Sequence, residues 1–208
     1  MKFNSKYKFT EEWFDIAIPT WEEFFKSYYR TPIKSVLEVG CYEGRATVWL
    51  CENVLGEEID YDIVDTFGGS ITESGMVGTA GRLGEDKSFI QTNFEHNTSF
   101  FKDRITFNIH KGYSQYELPK LVQAGKQYDF IYIDASHQSD DTFVDAYFAN
   151  KMLKQGGLII FDDFGWKDPK NPHENCSPET GIRLFFSLYS EQYRPAFAGY
   201  QVGAIKIA

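Results

Sequence analysis

The chain has 208 residues, 42% hydrophobic and 17% aromatic, enough for one sizeable core and short for two. Its formal charge of -9, from 21 basic and 30 acidic residues, comes with no Lys/Arg cluster, which disfavours duplex nucleic acid and anionic membranes as partners. Cys41, Cys51 and Cys176 form no CxxC pair. Reduced thiols in a cytoplasmic chain are therefore the expectation, with neither a signal peptide nor a membrane span.

The N-terminal 32 residues read as a helical appendage to a single 1–208 domain. Thr10 is a candidate cap for a first helix, and Pro19 separates that helix from a second, Trp21 to Tyr29. Ser35 to Val39 is a short apolar run suited to a buried strand. Gly40 to Gly44 turns the chain into a helix over Arg45 to Val54. Tyr61 to Asp65 is a second strand. Residues 66–87 carry six glycines and few large apolar side chains, the signature of a lid or binding loop. A helix over Phe89 to Phe101 precedes a third strand, Ile105 to Ile109. Tyr116 to Ala124 forms a helix in spite of Pro119. Tyr128 to Ile133 is a fourth strand. Asp141 to Leu153 is a helix closed by Gln155-Gly156-Gly157, and Leu158 to Phe161 is a fifth strand. Ser177 caps a helix from Pro178 to Tyr193, and Ala196 to Ala208 forms a closing hairpin bent near Gly199 to Gln201. Strands alternating with helices imply an α/β, Rossmann-like, mostly parallel seven-stranded sheet covered on both faces, with a C-terminal antiparallel hairpin.

In such a sheet, ligands gather beyond the carboxyl ends of the strands. Glu38 and Gly40, Asp65, Gly112, Asp134 and His137, and Asp162 and Asp163 all fall on that rim. Gly40 and Gly44 permit a tight strand-to-helix turn and close approach to a ligand. Asp65 lies 25 residues beyond Gly40, where an acid can accept ribose hydroxyls. Asp134, Asp162 and Asp163 end adjacent strands, and like charges brought that close call for a proton or a cation such as Mg²⁺. His137 suits a general base, a metal ligand or a helix cap. His110 is a weaker base candidate, Trp166 a candidate pocket wall, and Lys111 a neighbour of Gly112.

Four stretches resemble class I S-adenosylmethionine-dependent methyltransferases of the small-molecule and sugar O-methyltransferase branch. Val36-Leu37-Glu38-Val39-Gly40-Cys41-Tyr42-Glu43-Gly44 is similar to that family's first motif. Asp65-Thr66-Phe67-Gly68-Gly69 and Ile133-Asp134-Ala135-Ser136-His137, with Asp145 further on, are similar to its second- and fourth-strand segments. The run from Leu153 through Gly156-Gly157 to Asp162-Asp163-Phe164 completes the likeness. The resemblance implies a cofactor site built from Glu38, Gly40, Gly44, Asp65, Gly112, Tyr113 and Asp134. It also implies a divalent ion at Asp134, Asp162 and Asp163, and a catalytic pair of His137 as base with Asp134. The acceptor it implies is a hydroxyl of a small molecule or sugar, and a homo-oligomer is compatible with the class. Tyr42 departs from the pattern, standing where many members have glycine.

Two other readings use the same residues. A non-catalytic binding module would keep the fold, although polar residues on several strand ends argue against it. An NAD-dependent oxidoreductase would share the glycine turn and Asp65, but Gly40 to Gly44 lacks the GxGxxG spacing.

Overall fold

A computed structural model describes residues 3–69, 86–167 and 177–208. Most of the loop expected over 66–87, and Cys176 and His173, lie outside the described residues. Seven strands form one sheet in the order β3-β2-β1-β4-β5-β7-β6. They are β1 (Ser35–Val39), β2 (Ile59–Asp65), β3 (Ile105–Lys111), β4 (Tyr128–Ile133), β5 (Leu153–Phe161), β6 (Tyr193–Ala198) and β7 (Val202–Lys206). Strands β1 to β5 pair in parallel, and β7 joins β5 and β6 antiparallel. The helices are α1 (Ile18–Ser27), α2 (Arg45–Asn53), α3 (Ser88–Thr98), α4 (Ser114–Gln123), α5 (Ser139–Met152) and α6 (Pro178–Tyr189).

Side-chain alternation along the strands divides the apolar residues between two cores. Val36, Tyr61, Phe130, Tyr132 and Ile160 face a cluster with Trp21 of α1, Trp49 of α2 and Phe94 of α3. Leu37, Val64, Ile131, Ile133 and Phe161 face a cluster with Leu118 of α4, Ala146 of α5 and Phe185 of α6. A period of two in a sheet buried on both faces dictates this division.

Several boundaries differ from the sequence reading. Thr10 caps no helix, because its backbone N–H and its hydroxyl both bond the Glu43 carboxylate at 2.6 and 3.1 Å. The segment after it forms a 3₁₀ turn, Trp13–Ile16, and Pro19 sits in the first turn of α1 rather than between two helices. No glycine closes α5. The chain passes straight into β5 at Leu153, and Gly156-Gly157 lie inside that strand. Helix α4 carries Pro119 in its interior and forgoes one ladder bond there.

Residues 3–16 strap down the β1–α2 turn. Arg45 at the start of α2 is held by both oxygens of Asp15 at 2.6 and 2.7 Å, and its guanidinium lies over Phe3 and Phe9. Asn97 of α3 bonds Lys8 and the Glu43 carbonyl.

Candidate active site at the strand ends

The parallel ladder runs one residue past each strand and aligns the rim. Gly112 N–H bonds the Asp65 carbonyl, Gly40 that of Val64, Asp134 that of Val39, and Asp162 that of Ile133, at 2.8 to 3.0 Å. Strand order reverses between β1 and β4, which makes this the crevice where open α/β sheets bind ligands. Among the described residues, the non-glycine residues in the left-handed region are Tyr42, Glu58, Phe67 and Asp163. Three of these four lie on the rim, as conformational strain does at functional sites.

Gly40 has φ +83, and a Cβ there would sit 2.0 Å from the Asp134 carbonyl oxygen. The glycine therefore serves the close approach of the β4 strand end, not only that of a ligand. Gly44 has φ +78, and a Cβ would meet the Phe94 ring at 2.8 Å. Asp65 staples the turn, with Oδ2 accepting the N–H groups of Cys41 and Tyr42 at 2.6 and 2.9 Å and Oδ1 that of Phe67 at 2.6 Å. A carboxylate has about four lone-pair sites, so acceptor capacity remains for one further donor. Glu38 is fully buried. Its Oε2 accepts Thr47 and Tyr61 hydroxyls at 2.7 and 2.6 Å, while its Oε1 has no partner. Burial pushes the Glu38 carboxyl up to about 7, against the pull of those two hydroxyls. Tyr113 is exposed at the head of α4 beside Gly112.

On the other side of the crevice the acids are drawn together. Asp134, His137 and Asp163 each offer a ligand atom within 4.8 Å of one another, a group able to hold a metal ion. His137 Nε2 lies 2.8 Å from Asp163 Oδ2, and its buried Nδ1 has no partner. Burial, and then the charges of Asp162 and Asp163, hold the Asp134 carboxyl well above the ordinary range. Burial, and then Asp163, pushes Asp162 up to about 6. Asp162 does not share the cluster of donors. Its Oδ2 meets Gln201 Nε2 at 2.8 Å and the Tyr132 hydroxyl, and its Oδ1 accepts the Asp163 N–H at 2.6 Å. The Trp166 ring lies 4.3 Å from that of His137, centroid to centroid, and walls the cluster. His110 is drawn elsewhere, its Nε2 2.5 Å from Asp62 Oδ1. Lys111 Nζ bonds Gln91 at 2.6 Å.

Sequence reasoning missed Tyr132, Tyr200 and Gln201. Tyr132 reads as a core strand residue, and the other two sit in a hairpin turn with no local motif. A narrow cleft lined by Asp134, Ser136, His137, Thr142 and Asp163 opens at this rim. A roomier groove of about 620 Å³ lies at the opposite end of the strands, lined by residues such as Glu22, Lys26, Arg30 and Asn53. It gathers no imidazole and no glycine turn, so the chemistry is assigned to the rim.

No curated protein matches the chain in sequence. Solved structures do match in fold. The O-methyltransferase from Bacillus cereus in complex with SAH is 18% identical, covering 90% of this chain and 81% of that one, with a TM-score of 0.60. CalS11, a calicheamicin methyltransferase, is 14% identical over 92% and 79%, TM-score 0.61. A putative rRNA-methylase from Clostridium thermocellum is 14% identical over 92% and 96%, TM-score 0.61. The family described as "Methyltransferase domain" matches residues 37–164, more than half of the chain, from the middle of β1 to just past the acidic pair after β5, and on that match the protein belongs to the methyltransferase-domain family.

Proposed function

We propose that the protein is an S-adenosylmethionine-dependent O-methyltransferase acting on a hydroxyl of a small molecule or sugar. The observation that carries this reading is the pairing, across one crevice, of a stapled glycine turn with an acid–imidazole cluster. The solved structures similar in fold include methyltransferases holding SAH and one of calicheamicin. An acceptor of the rRNA type is disfavoured by the net charge of -9.

The residues present fit the cofactor. Glu38 Oε1, buried and without a partner, suits an ammonium group, and the free acceptor capacity of Asp65 suits a ribose hydroxyl. The turn from Gly40 to Gly44 would receive the methionine part, and exposed Tyr113 beside Gly112 would flank the adenine. Bound S-adenosylmethionine supplies an electrophilic methyl group on a sulfonium.

Asp134 and Asp163 fit a divalent cation, because paired carboxylate oxygens suit Mg²⁺ or Mn²⁺ better than an imidazole does. Such a cation lowers the pKa of a hydroxyl it holds. That leaves His137 to take the hydroxyl proton, its ring oriented by Asp163 and Trp166. Much of the rate gain is alignment of acceptor oxygen, methyl carbon and leaving sulfur.

Calorimetry with S-adenosylmethionine tests the reading. Saturable binding that Asp65→Ala abolishes is the expected result, and no binding at millimolar cofactor overturns it. His137→Ala should keep cofactor affinity and lose roughly a hundredfold or more in turnover once an acceptor is found by screening hydroxyl compounds.

A further inference from the structure

Two adjacent residues in the bend between β6 and β7 reach two adjacent carboxylates beyond β5, and they treat them differently. Gln201 is buried, and both ends of its amide are engaged. Its Oε1 accepts the Trp21 indole N–H at 2.6 Å, and its Nε2 reaches Asp162 Oδ2 at 2.8 Å and the Tyr132 hydroxyl at 3.3 Å. With Tyr132 on the same oxygen and the Asp163 N–H on the other, Asp162 is turned toward the sheet interior.

Asp163 is turned the other way by its left-handed backbone, φ +55. Tyr200 donates its hydroxyl to Asp163 Oδ1 at 2.6 Å, while Oδ2 faces His137. The Tyr200 carbonyl accepts the Gly165 N–H at 3.3 Å, tying the bend to the loop that carries Asp163. The Tyr200 ring is part-exposed, 37%, so core packing alone does not account for its place.

We infer that the Tyr200-Gln201 bend sorts the acidic pair. Asp163, held by Tyr200, joins Asp134 as a carboxylate ligand for a divalent cation. Asp162, held by Gln201 and Tyr132, is a positioning residue that does not touch the cation. This departs from the ligand set that the family resemblance implies, which counts Asp162 in. It rests on the metal half of the proposed function. In physical terms, Asp162 already accepts from Gln201, Tyr132 and a backbone N–H and keeps about one lone-pair site, and it stands outside the donor cluster, whereas an oxygen of Asp163 lies within 4.8 Å of ligand atoms of both Asp134 and His137. An outer hydrogen bond such as that of Tyr200 orients a ligand and changes metal affinity by roughly 10- to 100-fold when removed.

The test is Mn²⁺ binding by the full chain, followed through the electron paramagnetic resonance signal of free Mn²⁺, with SAH affinity measured in parallel by calorimetry. Asp163→Asn should weaken Mn²⁺ by more than about tenfold, and Tyr200→Phe by about tenfold, with SAH binding kept in both. Asp162→Asn should stay within about threefold of the parent, since an amide can still meet Gln201 and Tyr132. Equal losses in Asp162→Asn and Asp163→Asn would overturn the sorting, as would an unchanged Tyr200→Phe. A parent chain that binds SAH but no Mn²⁺ at millimolar concentration sinks this inference alone. A chain that binds neither S-adenosylmethionine nor SAH sinks the methyltransferase reading.

Discussion

Two groups of acids lie on this one sheet, and their surroundings are opposite. Asp60 and Asp62 on β2 are met by Lys126, whose Nζ is 3.0 Å from a carboxylate oxygen of each. Asn108, His110 and Tyr128 donate the remaining bonds. Asp134, Asp162 and Asp163 at the rim of β4 and β5 have no Lys or Arg partner among the described residues, only His137. The first group, closed, has an ammonium partner inside the protein, and the second, open, has none among the described residues. Perturbed, uncompensated carboxylates in a crevice mark a site completed by something that binds there. The methyltransferase-family match ends just past that open group, at residue 164.

The largest expected effect is at the seam between the glycine turn and the open group. Gly40→Ala forces a Cβ to within 2.0 Å of the Asp134 carbonyl at a φ of +83, and neither backbone can move without breaking the Gly40–Val64 and Asp134–Val39 bonds. A loss of roughly 3 kcal/mol or more is expected by urea denaturation. A variant as stable as the parent would show the seam to be loose. Next in size is the closed group. Lys126→Met strands the fully buried Asp62 carboxylate. Loss of a partner to a buried charge costs about 3–5 kcal/mol, and the partial exposure of Lys126 brings the expectation to roughly 2 kcal/mol. Adding Asp62→Asn should restore part of it, and no recovery in the double variant would break the contrast.

Much of the framework behind these effects is legible in the sequence. The apolar runs Ser35–Val39 and Tyr128–Ile133, and the acids that follow strands, stand out because strand ends and glycine turns are local features. What could not be read is contact across long sequence separations. Gln201 meets Trp21 from 180 residues away, and Glu43 spends its carboxylate on Thr10 and Asn93. Asp62 lies inside β2 and Asp134 just past β4, and neither position announces its partner in the sequence. Only the register of β2 with β3 and the placement of Lys126 separate the neutralised acid from the exposed demand for a partner. Thr10 reads as a helix cap for the same reason: its true acceptor lies 33 residues ahead.

A smaller effect distinguishes the two walls of the crevice by pH. Burial pushes Glu38 up to about 7 from an ordinary 4.5. The folded chain thus holds a proton that the unfolded chain has released between those values. The contribution to stability is complete below about pH 4.5 and is lost as pH rises through about 7. Glu38→Gln removes that slope. Urea unfolding of parent and variant across pH 4 to 8 should diverge with rising pH in favour of the variant, with S-adenosylmethionine affinity weakened. Parallel pH curves would show that Glu38 is ionised in the fold.

The smallest effect reverses sign between the two groups, and for that reason it discriminates best. Asp134 is held well above the ordinary carboxylate range by burial and by the charges of Asp162 and Asp163. An acid raised in the fold lowers stability at every pH above its unfolded value, so Asp134→Asn should gain stability at pH 8 and nothing near pH 3. The same change at Asp62 should lose stability, since Asn cannot balance Lys126. Millimolar Mg²⁺ supplies the second half of the contrast. A cation that binds only the folded state adds stability by mass action, about 2.7 kcal/mol at a hundredfold excess over Kd. The parent should gain from Mg²⁺, Asp134→Asn should not, and Asp62→Asn should gain as the parent does. A site left open for a ligand is then recognised by two signs together: removing its charge stabilises the empty protein, and the same removal forfeits what the ligand would have added.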